Sequence, residues 1–399
     1  MLPRRIAWAV ALTAMLTMCV SYVDRSTFAA LKTTVCTALD ISNTGYGVLN
    51  AMFSVAYLVT TPLAGWWLDR IGARRGLVAS VLAWSAVAAL HALVPGLVTL
   101  LVLRTALGVA EGPGFPGAAQ TVQRVLPAID HPRGFGLLFM GSSLGAMLAP
   151  QLAGWLFARG GWRFAFLGSA IIGLLWVPLW IALTSRPDAR ARLDVAPGPS
   201  AAHPPVGQLI AHPIMARALI GIFASAPVIG FVFTWQAALI GDLGVQQADV
   251  GHYLWLPPLC LGLGELAFGD LASRRAPARL LLAIAAVLCA TLALTPLAAT
   301  PWSAVVVASI ALAGGGGMYT LITSDMLARM PAELIALASG VLAGAQSLAL
   351  IISSPLVGAC VDHFHDYVAI TIILGAWVVP GAAIWLAWQP PARFEPGSR

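Results

Sequence analysis

Run after run of about twenty mostly apolar residues, parted by short polar loops, fills nearly the whole of this chain, and that pattern leaves few folds open. In hydrocarbon every backbone N–H and C=O has to find its partner within the protein. A membrane chain is thereby restricted to helices or a closed barrel, and unbroken apolar runs of this length are helical. Composition agrees: 59% of the 399 residues are hydrophobic and 10% are charged, whereas a soluble domain carries roughly 25% charged residues. Spans are expected near residues 6–33, 46–67, 77–94, 97–121, 135–157 and 164–183, then 216–240, 250–271, 278–297, 302–324, 336–359 and 367–388. The reading is an all-α integral membrane protein of twelve transmembrane helices in two pseudo-symmetric six-helix bundles. Residues 184–215, rich in Arg, Pro and Ala, form a cytoplasmic linker between a first bundle, 1–183, and a second, 216–399, which ends in a short tail. Arg4 and Arg5 precede the first apolar run, but that run is too long for a cleaved leader, and Asp24 and Arg25 fall where cleavage would occur.

Basic residues accumulate in cytoplasmic loops of membrane proteins. With both termini inside a cell inner (plasma) membrane, every Lys and Arg except Arg25, Lys32, Arg104, Arg159 and Arg163 falls in a cytoplasmic segment. Topology thus accounts for the net charge of +6, which gives no support to nucleic-acid binding. Membrane lipid is the expected surrounding, and the chain is read as a monomer. Cys19, Cys36, Cys260, Cys289 and Cys360 are scattered without ligand spacing, so neither disulfide nor zinc is expected. Residues 362–366, Asp-His-Phe-His-Asp, resemble a metal motif in composition, yet H-x-H on a short loop is usually solvated, and no metal or cofactor is expected. No nucleophile–base or metal-hydrolase motif is present, so the chain is not read as an enzyme.

Against this apolar background, Asp24 with Arg25 and Arg104 with Glu111 are conspicuous. Placing an ionisable group in the membrane costs at least a few kcal/mol, so those retained usually line a cavity, a proton relay or a substrate site. At about 1.5 Å per residue, Asp24, Arg25 and Arg104 fall in one layer of the outer half of the bilayer. Glu111 follows Arg104 by two helical turns, so the two share a face about 10 Å apart. Asp24 and its neighbour Arg25 cannot share one. A guanidinium matches a carboxylate with a fixed fork of donors, making Arg25 and Arg104 candidates to hold an anion. In a cavity of low dielectric a carboxylate takes up protons more readily than in water, making Asp24 and Glu111 candidate proton carriers that compete with the anion for the arginines. Glu265 is a third intramembrane carboxylate and a further candidate proton site. All of these could instead be interior ion pairs or hydrogen bonds that fix helix packing.

An internal repeat supports the two halves. Residues 65–75 include Gly65, Asp69, Arg70, Gly72, Arg74 and Arg75, and the degenerate second copy, 269–275, places Ser273 where Asp69 should stand. Gly65 would allow close helix approach, and Asp69 could cap a helix or pair with an arginine. The glycines and prolines of 112–117 interrupt the fourth span below Glu111, and Gly314–Gly317 in the tenth suggest close packing or bending rather than a phosphate cradle.

Residues 65–75 resemble the signature loop of the major facilitator superfamily, G-x-x-x-D-R-x-G-R-R. Residues 21–25 (Ser-Tyr-Val-Asp-Arg), 103–111 with 115–117, and 161–166 (Gly-Trp-Arg-Phe-Ala-Phe) resemble its anion:cation symporter family, and 173–180, 324–326 and 338–340 look most like the hexuronate branch. Pro113, Ala343 and Ser347 depart from the pattern. The resemblance implies the major facilitator fold and uptake of a small organic anion, such as a hexuronate or aldonate, in symport with protons by alternating access. It implies cavity roles for Tyr22 and Tyr57 and conformational roles for Gly65, Asp69, Arg70, Gly72 and Arg74. Two alternatives stay open: a proton-coupled carrier of an aromatic or dicarboxylic acid, and an exporter of drugs or metabolites.

Overall fold

The computed structural model describes residues 3–194, 206–274, 277–331 and 334–394, apart from the side chains of Trp66, Asp69, Ala128, Pro132 and Ala336. Arg275 of the second loop copy lies outside the described residues. The fold among them is helical, in two compact units: Met1–Gly198 with Val245–Trp255, and Pro199–Gly244 with Leu256–Arg399.

In the first unit, α1 (Arg4–Ala30) continues past Leu31 into α2 (Lys32–Ala38), followed by α3 (Asn43–Ile71), α4 (Ala73–Leu90), α5 (Leu97–Glu111), α6 (Gly114–Val125), α7 (His131–Thr184) and α8 (Pro187–Leu193). Ser42 starts α3 by accepting the Gly45 N–H at 3.1 Å, the usual work of a short hydroxyl at a helix N-terminus. Gly112 and Pro113 divide the fourth span into α5 and α6, since proline has no N–H to continue the ladder. The fifth and sixth spans run together as one 54-residue helix, α7, broken by non-helical Gly160 and Gly161. Glycine is needed at the second of these, where φ is +74°. α1 lies along α7 because Gly141 and Gly145 have no side chains. A Cβ at either would meet the Met15 carbonyl at 2.4 Å or the Cys19 carbonyl at 2.2 Å. That contact fixes the rotation of α1 and turns Ser21 and Arg25 toward α5.

The short α11 (Val250–Leu254) belongs to the first unit, and the second unit holds α9 (Val206–Ala211), α10 (Pro213–Asp242), α12 (Leu256–Ser273), α13 (Ala278–Ala290), α14 (Pro301–Arg329), α15 (Ile335–Phe364) and α16 (Val368–Ala387). α14 opens on a capping box between Thr300 and Ser303, with Pro301 at its first position. Its Gly314–Gly317 run is a packing site. Added Cβ atoms would come within 2.2 Å of Cys289 N, 2.9 Å of Ile229, 2.5 Å of the Leu261 carbonyl and 2.4 Å of Phe268, so α13, α10 and α12 all close on it.

Ten helices among the described residues are long and apolar enough to cross a membrane. The bent α7 supplies two passes in one, and the eighth expected span is split at Trp255, leaving α12 diluted by Pro257, Pro258, Glu265 and Asp270. With those, the ten become the expected twelve. Large apolar side chains such as Leu63, Val98, Leu175, Leu266, Val287 and Leu356 stand exposed on helix exteriors, the arrangement a lipid solvent favours.

Candidate functional site

Three helix faces of the first unit bring the intramembrane charges together. Ser21, Arg25 and Phe28 fall on one face of α1, Asn50, Phe53 and Tyr57 on one face of α3, and Arg104 and Glu111 on one face of α5, by the three- and four-residue steps of a helix. The ion pairs differ from those suggested by sequence neighbourhood. Arg25 Nε pairs across helices with Glu111 Oε2, which also accepts the Ser21 hydroxyl at 2.7 Å. The Glu111 side chain is 0% exposed and that of Arg25 22%. The second carboxylate oxygen, Oε1, is buried with no hydrogen-bond partner.

Arg104 is 3% exposed. Its Nη2 reaches Asn50 Oδ1 at 3.4 Å, while Nε and Nη1 are buried without hydrogen-bond partners. The guanidinium lies 4.3 Å from the Phe28 ring centroid and 5.2 Å from that of Phe53. Arg25 lies 4.9 Å from the same Phe53 ring, 4.5 Å from Tyr57 and 5.2 Å from Tyr22. Aromatic faces therefore hold both guanidiniums through their negative quadrupoles without neutralising them. A buried cation with most of its donors unused is costly unless an anion completes it. Arg104 thus keeps Nε and Nη1 as unused donors, while the charge of Arg25 is met by Glu111.

Asp24 forms no ion pair with Arg25, which is held by Glu111 instead. Asp24 is 3% exposed, and neither carboxylate oxygen has a hydrogen-bond partner. Ser169 of α7 stands beside it, with its hydroxyl donated to the Phe166 carbonyl at 3.1 Å. Glu265 belongs to the second unit, where its Cγ would lie 3.1 Å from a Cβ added at Gly316. Ser21, Phe28, Asn50, Phe53 and Ser169 were not singled out from the sequence. The signal was available for Asn50 and Phe53, which precede Tyr57 by seven and four residues and so share its face.

The loop between α3 and α4 divides into residues the structure explains and one it corrects. Gly72 ends α3 and begins α4 at φ +85°, and a Cβ there would meet Asp194 Cα at 2.9 Å and the Leu193 carbonyl at 3.0 Å. Its lack of a side chain thus seats the short α8 against the loop. Arg74 donates to Thr184 and Ser185, each at 3.3 Å, while its carbonyl accepts from Trp180 Nε1 at 3.1 Å. Arg70 is exposed in the last turn of α3. Gly65 does not serve helix approach: nothing lies within 4 Å of a Cβ built on it. The close approach of α3 and α5 occurs instead at Gly108, where a Cβ would meet the Phe53 carbonyl at 2.4 Å. The side chain of Asp69 lies outside the described residues.

Comparison with known proteins gives a consistent picture. The profile of the Major Facilitator Superfamily matches residues 14–354. A hexuronate transporter of Escherichia coli is 27% identical over 264 residues, 63% of this chain and 61% of that protein, so the chain matches about three fifths of that relative's length. A D-galactonate transporter of Escherichia coli is 24% identical over 399 residues, 93% of each chain. Among solved structures, a bacterial homologue of the human lysosomal transporter Spinster superposes with a TM-score of 0.83 at 16% identity, covering 96% of this chain and 97% of that one.

Proposed function

The chain belongs to the Major Facilitator Superfamily, and from that premise we propose that it is a secondary carrier taking up a small organic anion, a hexuronate or aldonate, together with protons. The observation that carries the reading is Arg104, a buried guanidinium with two donor nitrogens unused, close to an Arg25–Glu111 pair that a single proton would open. The names of the relatives, transporters of hexuronate and D-galactonate, favour sugar acids over other anions.

Coupling follows from the cost of an unpaired buried charge. While Glu111 is ionised, Arg25 is occupied. A proton on Glu111 leaves Arg25 without a counter-charge, and the incoming carboxylate supplies one. In this scheme the proton opens Arg25 and the anion fills it, so the two move together. Asp24 and Glu265 are second proton sites in this scheme. The loop residues Asp69, Arg70, Gly72 and Arg74 serve the conformational exchange between the two sides of the membrane, with both termini cytoplasmic and the protein working as a monomer. Uptake into proteoliposomes under an imposed inward proton gradient tests the substrate class. Accumulation of hexuronates or aldonates over aromatic acids is expected. Transport that persists when Arg25 and Arg104 are both replaced would favour an exporter of neutral or cationic compounds instead.

A further inference from the structure

A second cluster of charge lies in the other unit, at the end where α10 and α13 begin and α14 and α16 finish, and no part of the transport scheme uses it. A cavity of about 430 Å³ opens there, lined by Arg217, Arg279, Asp325, Arg329, Trp385 and Gln389 among others. Asp325 supplies both of its oxygens to two arginines. Arg217 Nη1 donates to Oδ2 at 2.8 Å, and Arg329 donates to Oδ1 at 2.8 Å and to Oδ2 at 3.1 Å. The Arg217 side chain is 5% exposed, and its guanidinium lies 3.5 Å from the Trp385 ring centroid, with Nε on the Trp385 carbonyl at 3.0 Å. Arg329 also donates to the Pro391 carbonyl at 3.0 Å, tethering the segment after α16 to the rim.

This leaves three guanidiniums and one carboxylate around a single space. Arg279 is exposed at its mouth and near enough for its charge to act on Arg217, and no described carboxylate pairs with it. A cavity with two positive charges in excess, and donors converging from three helices, suits a tetrahedral oxyanion that accepts from several sides better than a planar carboxylate. We propose that this cavity binds a phosphate group. Its volume exceeds what the group alone would fill, leaving room for the glycerol portion of an anionic lipid headgroup, and basic recesses between transmembrane helices are suited to such headgroups.

The test uses the full chain, purified in a neutral detergent, with lipid retention read by native mass spectrometry and stability by thermal unfolding. Phosphatidylglycerol, phosphatidylcholine and inorganic phosphate serve as separate probes, and the key variant is Arg279→Gln, which leaves the Arg217–Asp325–Arg329 cluster intact. Phosphatidylglycerol is expected to be retained and to raise the unfolding temperature, with affinity falling about tenfold in Arg279→Gln, the weight of one charge-assisted contact, and largely restored in Arg279→Lys. Stabilisation by inorganic phosphate with the same dependence on Arg279 would assign the site to soluble phosphate. Inert phosphate would assign it to the lipid headgroup. Binding of phosphatidylglycerol and phosphate that is the same in Arg279→Gln as in the unaltered protein would overturn the proposal.

Discussion

At the scale of single residues, a buried charge with a partner and one without differ in what they contribute to stability. Arg217 has an ion-pair partner in Asp325 at 2.8 Å, whereas Arg104 is buried with Nε and Nη1 unused. Replacing a poorly paired buried charge with an apolar group of similar length usually leaves stability unchanged or raises it. Arg104→Met is therefore predicted to unfold at the same or a higher temperature in the absence of ligand while losing anion binding by about thirtyfold or more. A purely structural role predicts the reverse, a lower unfolding temperature with binding intact. The sequence alone identifies all four charges as costly, because composition makes them exceptional. It does not say that Glu111 partners Arg25 rather than Arg104, since that depends on how α1 is rotated against α7 by Gly141 and Gly145.

At the scale of helices, the site depends on how closely backbones approach. α3 and α5 meet at Gly108, where a Cβ would fall 2.4 Å from the Phe53 carbonyl and 2.9 Å from Ala56 Cβ. Gly108→Val should force the helices apart at a cost of about 1–3 kcal/mol, weaken anion binding by moving Arg104 from Asn50, and lower the unfolding temperature. Gly65→Ala, with open space around it, should change neither quantity, so measuring the two variants side by side checks the assignment. Gly72→Ala meets both a positive φ and the backbone of Asp194, and a loss of at least about 1 kcal/mol is expected in thermal unfolding. Helix existence was legible because a twenty-residue apolar run has few alternatives. Boundaries set by a single residue were not, as the merging of the fifth and sixth spans at Gly160 and Gly161 and the break at Trp255 illustrate. The second loop copy, where Asp270 pairs with Arg274 at 2.8 Å, retains the charge pairing of a helix end without the full signature.

At the scale of the whole molecule, the proposed topology, with both termini cytoplasmic, follows the bias of arginine toward cytoplasmic loops. In a background lacking the five native cysteines, Arg5→Cys should resist a membrane-impermeant maleimide added outside intact cells, while Arg159→Cys should react. The reverse pattern would invert the topology. The central claim is that one proton on Glu111 releases Arg25 to the substrate, and the most direct measurement compares two assays of Glu111→Gln in proteoliposomes. The neutral amide mimics the protonated carboxyl, so the variant is predicted to exchange external for internal sugar acid at a rate near that of the unaltered protein, yet to accumulate none under an inward proton gradient. Accumulation by Glu111→Gln equal to that of the unaltered protein would contradict the account.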